Sequence, residues 1–255
     1  MSDRHVEFSL PEPQLKEELR RKTRRSFLIG GLTAAAGIGA YELITSAGDE
    51  DGQSWALRRM LDFNGRLGEA FLSDRHLMPT YSREQVSYLK PNGDIGLRGA
   101  VDAHEWRLQV KAEEAGAPLH LQLADVLSLP KINLITRFCC IEGWSAIVAW
   151  GGVRFRDFTR KYLPPGARAK YVYLATPDGE YYVGLDMKSA MHPQTLLAYE
   201  QNGKPLTPEH GAPLRLVIPV KYGIKSIKRI GLIQYTNRRP EDYWAEEGYD
   251  WFAGL

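Results

Sequence analysis

Short β-rich runs dominate the chain between residues 106 and 236, and they do not alternate regularly with helical segments. Val, Ile, Leu, Tyr and Thr are concentrated in stretches that have the length and composition of β-strands. These runs cover residues 106–110, 133–138, 171–175, 214–219 and 230–236. A doubly wound parallel sheet requires strands and helices in turn. We therefore exclude that fold and expect an α+β domain.

Helical segments are few by comparison. Ser54 is a candidate N-cap for a helix with apolar residues at positions 57, 61, 67 and 71, and residues 155–162 have the pattern of an amphipathic helix. Residues 119–129 are predicted to be a short helix or helical turn, and Asn202-Gly203 a hairpin-type turn. At 255 residues the chain is long enough for one large core, so residues 48–255 are expected to form a single domain.

The first 47 residues are predicted to be a targeting segment and linker. A basic cluster at residues 20–25 precedes an uncharged run rich in Gly and Ala, and the junction Thr-Arg-Arg-Ser-Phe-Leu at 23–28 matches a twin-arginine export signal. As a helix, residues 27–44 would be about 27 Å long, close to the ~30 Å hydrocarbon thickness of a bilayer. We expect a periplasmic protein that this uncleaved segment anchors to the inner membrane. A surface helix with a basic end is the alternative.

Composition and motifs exclude several classes of function. The formal net charge of +2 gives no global field that would attract nucleic acid. The sequence has no Gly-x-Gly-x-x-Gly, no P-loop, no His-Glu-x-x-His and no Cys-x-x-Cys, so dinucleotide, nucleotide and common zinc sites have no support. It also lacks the haem motif Cys-x-x-Cys-His. Electrons for a redox reaction must therefore come from another protein or a soluble carrier.

Both cysteines, Cys139 and Cys140, stand side by side where the predicted 133–138 strand runs into a loop. Neighbouring cysteines do not form an ordinary disulfide without strain in the intervening peptide. A thiolate here could ligate a soft metal, or act as a nucleophile with His192 or His210 as its base. The other interpretation is that both thiols pack in the core, where free cysteine is common.

A block rich in hydrogen-bond donors occupies residues 210–228. It contains one histidine, one arginine and three lysines, namely His210, Arg215, Lys221, Lys225 and Lys228. Small residues between them allow backbone amides to approach a ligand, as an anion or phosphate site requires. The block predicts an anion site, although a run of charges is more often a solvated face.

Four sequence blocks in this order resemble the sulfite-oxidase family of molybdopterin enzymes, and within it the exported reductases of S-oxides. They are Cys-Ile-Glu-Gly-Trp-Ser at 140–145, Ala-Lys-Tyr-Val at 169–172 with Thr176, Met-His-Pro-x-Thr-Leu at 191–196, and the segment 211–228. The resemblance covers residues 106–249. It implies an α+β, sulfite-oxidase-type molybdopterin-binding domain with mixed β-sheets and short helices.

The resemblance also implies a molybdenum-molybdopterin cofactor and the residues that hold it. Cys140 would be the thiolate bound to molybdenum, with Glu142 near the metal as a proton donor or an orienting group. The cofactor-binding residues would be Thr176, His210 and Arg215 at the pterin, Ser226, Ile227 and Lys228 at its phosphate, and Asn92 in an irregular loop. Cys139 departs from the family pattern, which has a basic residue there. A different substrate preference would therefore arise at Cys139.

The implied function is the transfer of an oxygen atom and two electrons between molybdenum and a small-molecule or protein-bound oxide. Reduction of an S-oxide such as methionine sulfoxide is the leading expectation. Oxidation of a sulfite-like donor is the enzymatic alternative, and a non-catalytic, membrane-tethered binding protein is the alternative from another class. The expected partners are a haem-containing membrane electron-transfer subunit or another redox carrier, and the twin-arginine translocase. Because four residues follow Trp251, we expect a more open substrate side than in those reductases.

Overall fold

The computed structural model describes residues 12–46, 48–50, 52–99, 101–113, 116–163 and 168–255. The chain divides into two compact units. One comprises Met1–Glu50 with Ser54–Leu57, and the other comprises Asp51–Gln53 with Arg58–Leu255. Residue 47, where the predicted targeting segment ends, lies outside the described residues.

Helices and strands of the described residues are numbered in chain order. The α-helices are α1 (Glu12–Ser46), α2 (Trp55–Phe71), α3 (Leu123–Leu127), α4 (Phe155–Tyr162), α5 (Met187–Ala190) and α6 (Tyr243–Glu246). Short 3-10 helices cover Arg83–Gln85, Pro208–His210 and Gly223–Lys225. The strands are β1 (Asp49–Glu50), β2 (Gln53–Ser54), β3 (Leu108–Ala112), β4 (Leu119–Leu121), β5 (Lys131–Cys139), β6 (Ser145–Arg154), β7 (Tyr171–Ala175), β8 (Tyr182–Asp186), β9 (Leu196–Gln201), β10 (Lys204–Pro205), β11 (Arg215–Val217) and β12 (Leu232–Thr236).

The first sheet is built around a long antiparallel hairpin. β5 and β6 pair continuously up to Cys139 opposite Ser145, and the strand order is β10-β9-β6-β5, with β11 also paired to β9. Residues 140–144 close the hairpin, where the Cys140 amide donates to the Trp144 carbonyl at 2.9 Å. Gly143 in this turn has a φ of +89°, a conformation that favours glycine. The turn therefore holds residues 140–144 just past the end of the strand ladder.

The second sheet is mixed, with the order β4-β3-β12-β7-β8. β12 lies parallel to β3 and antiparallel to β7. Its inner residues form the main core, in which Val172, Leu174 and Ile233 have no exposed surface. Burying one such side chain stabilises the fold by about 1.5–3 kcal/mol. The prediction of an α+β domain with mixed sheets and short helices is thus confirmed.

One predicted helix was wrong in part. Residues 119–129 begin as β4, which pairs with β3 at Leu119 opposite Val110, and only Leu123–Leu127 is helical. Asp125 ends the strand, because its carboxylate accepts a hydrogen bond from the Gln122 amide at 2.7 Å and starts the helix there. Pairing with a neighbouring strand outweighs the local helical pattern before this point.

Helix α1 contains the twin-arginine junction and the apolar run that follows it. In the described part of the chain, no helix combines the length and the apolar content that a bilayer crossing requires.

Candidate active site

Cys140 lies in a cleft at the end of the β5–β6 hairpin. Its side chain is 7% exposed and lines the cleft, whereas Cys139, the last residue of β5, is not among the lining residues. Burial raises the pKa of the Cys139 thiol. The Asn92 side-chain amide donates to the Cys140 thiol, with Nδ2 at 3.7 Å from Sγ. The structure therefore distinguishes the two adjacent cysteines and brings Asn92 to the thiol that faces the cleft.

Glu142 stands on the exposed rim of the same loop and accepts two hydrogen bonds. The Trp144 indole donates to Oε2 at 2.9 Å, and the Asn92 amide donates to Oε1 at 3.3 Å. These donors, Trp144 first, lower the pKa of the Glu142 carboxyl group. The carboxylate form is thus favoured, and Asn92 connects it to the Cys140 thiol.

Arg215, on β11, is a buried cation beside the thiol. It is 2% exposed, and its guanidinium donates to the carbonyls of His210 at 3.0 Å and Ser226 at 3.1 Å. The guanidinium lies over the Trp150 ring, with Cζ 4.9 Å from the centroid, and its Nε has no hydrogen-bond partner. Burial lowers the pKa of Arg215 to about 10. Among the described residues, no carboxylate lies within ion-pair distance of this group.

Lys228 is the second cation that lines the cleft. Its Nζ donates to the carbonyls of Asn92 at 2.8 Å and Gly93 at 2.9 Å, so it fixes the loop that carries the Asn92 amide. Burial, followed by repulsion from Arg215, lowers the pKa of Lys228 to about 8. An anionic ligand between these two cations would reduce both penalties.

The other two lysines of the 210–228 block do not belong to this site. Lys221 lies 3.6 Å from Asp186, and Lys225 makes a buried ion pair with Asp242 at 2.5 Å. Neither lysine lines the cleft. The predicted anion site therefore involves fewer cations than the sequence suggested, because two of them are held by carboxylates from distant segments.

Of the remaining predicted cofactor-binding residues, one lines the cleft and the others do not. Ser226 lines the cleft, whereas Ile227 is fully buried in the core. Thr176 does not line the cleft, and its hydroxyl donates to Asp178 Oδ1 at 2.6 Å. His210 reaches Arg215 through its backbone carbonyl, and its half-buried ring is not a lining group.

The structure gives no support to a cysteine hydrolase. His192 is fully buried, and its Nδ1 accepts a hydrogen bond from the Gln194 amide at 3.3 Å. Neither this ring nor that of His210 lines the cleft. Among the described hydrogen bonds, the partner of the Cys140 thiol is Asn92, so no imidazole is placed to activate it.

An aromatic wall, which the sequence analysis did not anticipate, lines another side of the cleft. It consists of Tyr181, Trp244 and Tyr249. The rings of Trp244 and Tyr249 meet edge to face, with centroids 5.3 Å apart. The density of aromatic residues between positions 243 and 251 was the available signal, but their spacing does not indicate which rings face the thiol.

These residues fit the molybdopterin cofactor that the resemblance implies. The cleft offers one soft thiol ligand, so a metal held there must bring further ligands of its own, as a chelating cofactor does. Among the described residues, Arg215 and Lys228 supply positive charge without an ion-pair partner, and the Arg215 Nε has no hydrogen-bond partner. An anionic chelate of a soft metal satisfies both features.

Comparison with known proteins agrees with this chemistry. The family described as "Oxidoreductase molybdopterin binding domain" matches residues 95–244. A protein of Azospira oryzae named as a protein-methionine-sulfoxide reductase subunit is 35% identical over 91% of this chain and 87% of its own length. The protein-methionine-sulfoxide reductase catalytic subunit of Campylobacter jejuni is 34% identical over 72% of this chain and 68% of its own.

A solved structure shares the fold at low sequence identity. The sulfane dehydrogenase SoxCD from Paracoccus pantotrophus aligns with a TM-score of 0.50 and 20% identity, over 56% of this chain and 41% of that one. The family match, which spans more than half of the chain, and the full-length relative agree with each other. This chain therefore belongs to the family of oxidoreductases with a molybdopterin-binding domain.

Proposed function

We propose that this protein is an exported molybdenum-molybdopterin oxidoreductase that reduces S-oxides such as methionine sulfoxide, with Cys140 as the protein ligand of molybdenum. The observation that carries the proposal is a single thiol in a cleft with two cations, Arg215 and Lys228, that form no ion pair with any carboxylate of the described residues. The names of the relatives from Azospira oryzae and Campylobacter jejuni support the reductive direction.

Each part of the cofactor has a set of residues suited to hold it. Cys140 would ligate the metal, while Arg215 and Lys228 would bind the anionic part, assisted by Ser226. Asn92 donates to the thiol and would tune its electron donation. Thr176, His210 and Ile227 would act from behind the cleft by fixing the backbone around it. When bound, the cofactor supplies a redox-active molybdenum that exchanges an oxygen atom and two electrons.

Glu142 is better suited to orient its neighbours than to donate a proton. Two donated hydrogen bonds favour its carboxylate, so it starts the reaction without a proton to give. Reduction of a sulfoxide consumes two protons and two electrons and releases a sulfide and water. Because Glu142 is on the exposed rim, water can deliver protons past it.

The proposal extends to transport and to the electron source. Residues 1–47 would be the export signal and linker, and residues 48–255 the catalytic domain in the periplasm. The twin-arginine junction at 23–28 supports this route, since the translocase carries folded proteins with their cofactors. Both relatives are named as subunits, which supports a redox partner. We propose a haem-containing membrane subunit in that place.

The test uses full-length protein purified from a molybdenum-replete host. We expect about one molybdenum per chain, and turnover of methionine sulfoxide with a reduced dye as the electron donor. The same preparation is assayed with N-oxides and for oxidation of sulfite. Sulfite oxidation without reduction of S-oxides would contradict the proposed direction. Protein without molybdenum or pterin would favour the non-catalytic alternative.

A further inference from the structure

The aromatic wall beside the thiol is the part of the cleft that the cofactor assignment does not use. Trp244 and Tyr249 line the cleft together with Cys140, and Tyr249 is 38% exposed. Tyr181 lies next to them, and its ring centroid is 5.5 Å from that of Tyr243. The wall thus lines the same cleft as the thiol and reaches solvent at Tyr249.

Buried charges hold the backbone of this wall in place. Arg58, on α2, is 3% exposed and donates to the carbonyl of Ala245 at 2.6 Å and to that of Tyr249 at 3.0 Å. The Tyr249 amide in turn donates to the Trp244 carbonyl at 2.8 Å. These contacts fix both aromatic residues through their main chain, so their rings form a stable surface in the absence of a ligand.

A second anchor acts at the start of α6. The buried carboxylate of Asp242 accepts from the amides of Ala245 at 3.1 Å and Gly184 at 3.0 Å, and it pairs with Lys225. The helix that carries Trp244 is therefore tied to β8 as well as to α2. Such preorganisation is expected of a binding surface, because little conformational entropy is lost when the ligand arrives.

The chemistry of the wall indicates what it recognises. Aromatic rings attract the polarisable sulfur of thioethers and related groups, and they cover alkyl or aryl substituents well. A small inorganic oxyanion gains little from such a surface, and the proposed function assigns the cations Arg215 and Lys228 to the cofactor. The wall therefore favours an uncharged organic S-oxide that carries a sizeable substituent.

We propose that Trp244 and Tyr249 are specificity-determining residues that bind the organic substituent of the S-oxide, and that Arg58 is a positioning residue that holds them. This inference rests on the proposed function for the nature of the substrate. Its distinctive claim is selectivity by substituent size. Loss of the wall should weaken the binding of a bulky sulfoxide and leave that of a small one almost unchanged.

The experiment measures binding without turnover, on the molybdenum-loaded protein with no reductant. Ligand-observed NMR titrations give the Kd of methyl phenyl sulfoxide and of dimethyl sulfoxide. We expect Trp244→Ala and Tyr249→Ala each to raise the Kd of methyl phenyl sulfoxide about tenfold, and that of dimethyl sulfoxide less than about twofold. Trp244→Phe should retain most of the selectivity. Tyr88→Ala, at a residue 79% exposed and outside the cleft, is the matched control and should change neither Kd.

Arg58 is tested by the same ratio of the two dissociation constants. Arg58→Met should reduce the preference for methyl phenyl sulfoxide, and Arg58→Lys should restore part of it because one donated hydrogen bond can be kept. A purely structural residue would lower the melting temperature of the loaded protein without changing the ratio. An unchanged ratio in Arg58→Met would overturn its positioning role.

Two outcomes would overturn the proposed role of Trp244 and Tyr249. The alanine variants could raise the Kd of both sulfoxides equally, or neither variant could raise the Kd of either sulfoxide. A parallel assay with a reduced dye separates this result from the proposed function. Turnover of sulfoxides together with unselective binding would contradict the specificity role of the wall and support the proposed reductase function. Selective binding without turnover would support the specificity role of the wall and contradict the proposed reductase function.

Discussion

Replacing Arg215 with methionine tests whether the cleft is built for an anion. Burial lowers the pKa of this guanidinium from 12.5 to about 10, which corresponds to a penalty of about 3 kcal/mol on the charged form in the protein without a ligand. Its hydrogen bonds to the carbonyls of His210 and Ser226 offset this penalty by roughly 1.5 kcal/mol each. The two contributions nearly cancel. We therefore expect the free energy of unfolding of the cofactor-free Arg215→Met protein to change by no more than about 1–2 kcal/mol.

Unlike the free energy of unfolding, the affinity for the cofactor should fall strongly in Arg215→Met. An anion about 4–5 Å from the guanidinium gains ~4 kcal/mol at an effective dielectric constant of about 20. Loss of this interaction lowers the affinity for the cofactor about 1000-fold. Molybdenum analysis and pterin fluorescence of the purified protein measure the loss, and urea denaturation of the cofactor-free protein measures the stability.

Arg58→Met is the matched control for this experiment. Arg58 is as buried as Arg215 and also donates to two backbone carbonyls, but it does not line the cleft. We expect it to lower stability while molybdenum content stays within about twofold of the unmodified protein. Normal molybdenum and pterin content in Arg215→Met would refute the anion argument. So would a loss of more than about 4 kcal/mol in its cofactor-free stability, because the two contributions would then not cancel.

Three further predictions concern the thiols and the lysines. Cys140→Ser should reduce turnover of S-oxides roughly 100-fold, whereas Cys139→Ser, which changes a thiol outside the cleft, should leave it within about twofold; equal losses would contradict the ligand assignment. Lys228 has a pKa of about 8 in the ligand-free protein, and a bound anion raises it, so cofactor affinity should fall by up to about tenfold per pH unit above pH ~8. Equilibrium dialysis of molybdenum and pterin between pH 7 and 9 measures this, and a slope that persists in Lys228→Met would show another group to be responsible. Lys225→Met leaves the buried Asp242 carboxylate unpaired and should cost about 3–5 kcal/mol in urea denaturation, with part recovered by adding Asp242→Asn; a loss below about 1 kcal/mol would exclude a buried ion pair.

Sequence reasoning was most accurate where a short local pattern is also what the fold requires. The helix predicted at 155–162 and the strand predicted at 171–175 have the same bounds as α4 and β7. Both are decided by side-chain periodicity within one element. The turn at Asn202-Gly203 also follows from local chemistry, since both residues have positive φ. The ordered motif blocks identified the family for the same reason, because they are local strings of residues.

The partners of the charged residues were less predictable. Lys221 and Lys228 look alike in the sequence, as members of one basic block. In the fold, Asp186 approaches Lys221, while no carboxylate approaches Lys228 within ion-pair distance among the described residues. Which lysine stays available for an anion is thus decided by contacts between distant segments. The spacing of residues in the sequence does not predict such contacts.

The substrate side was missed for a similar reason. Trp244 and Tyr249 line the cleft of the thiol, and Arg58, nearly 190 residues earlier in the chain, binds the carbonyls of their segment. A buried arginine on an amphipathic helix has no local signature that separates it from an exposed one. The apolar positions 57, 67 and 71 on the same helix are exposed.

The uninterrupted ladder of the β5–β6 hairpin has a consequence for how tolerant the site is of insertions and deletions. Successive strand residues face opposite sides, so removing one residue from β5 would exchange the faces of all those that follow it. Cys140 would then take the position opposite Ser145 that Cys139 now occupies, a position that does not line the cleft. Nine paired positions, from Lys131 to Cys139, oppose such a slip by the cost of breaking every pair at once. Cys139 therefore cannot substitute for Cys140, since the register of the ladder decides which sulfur faces the cleft.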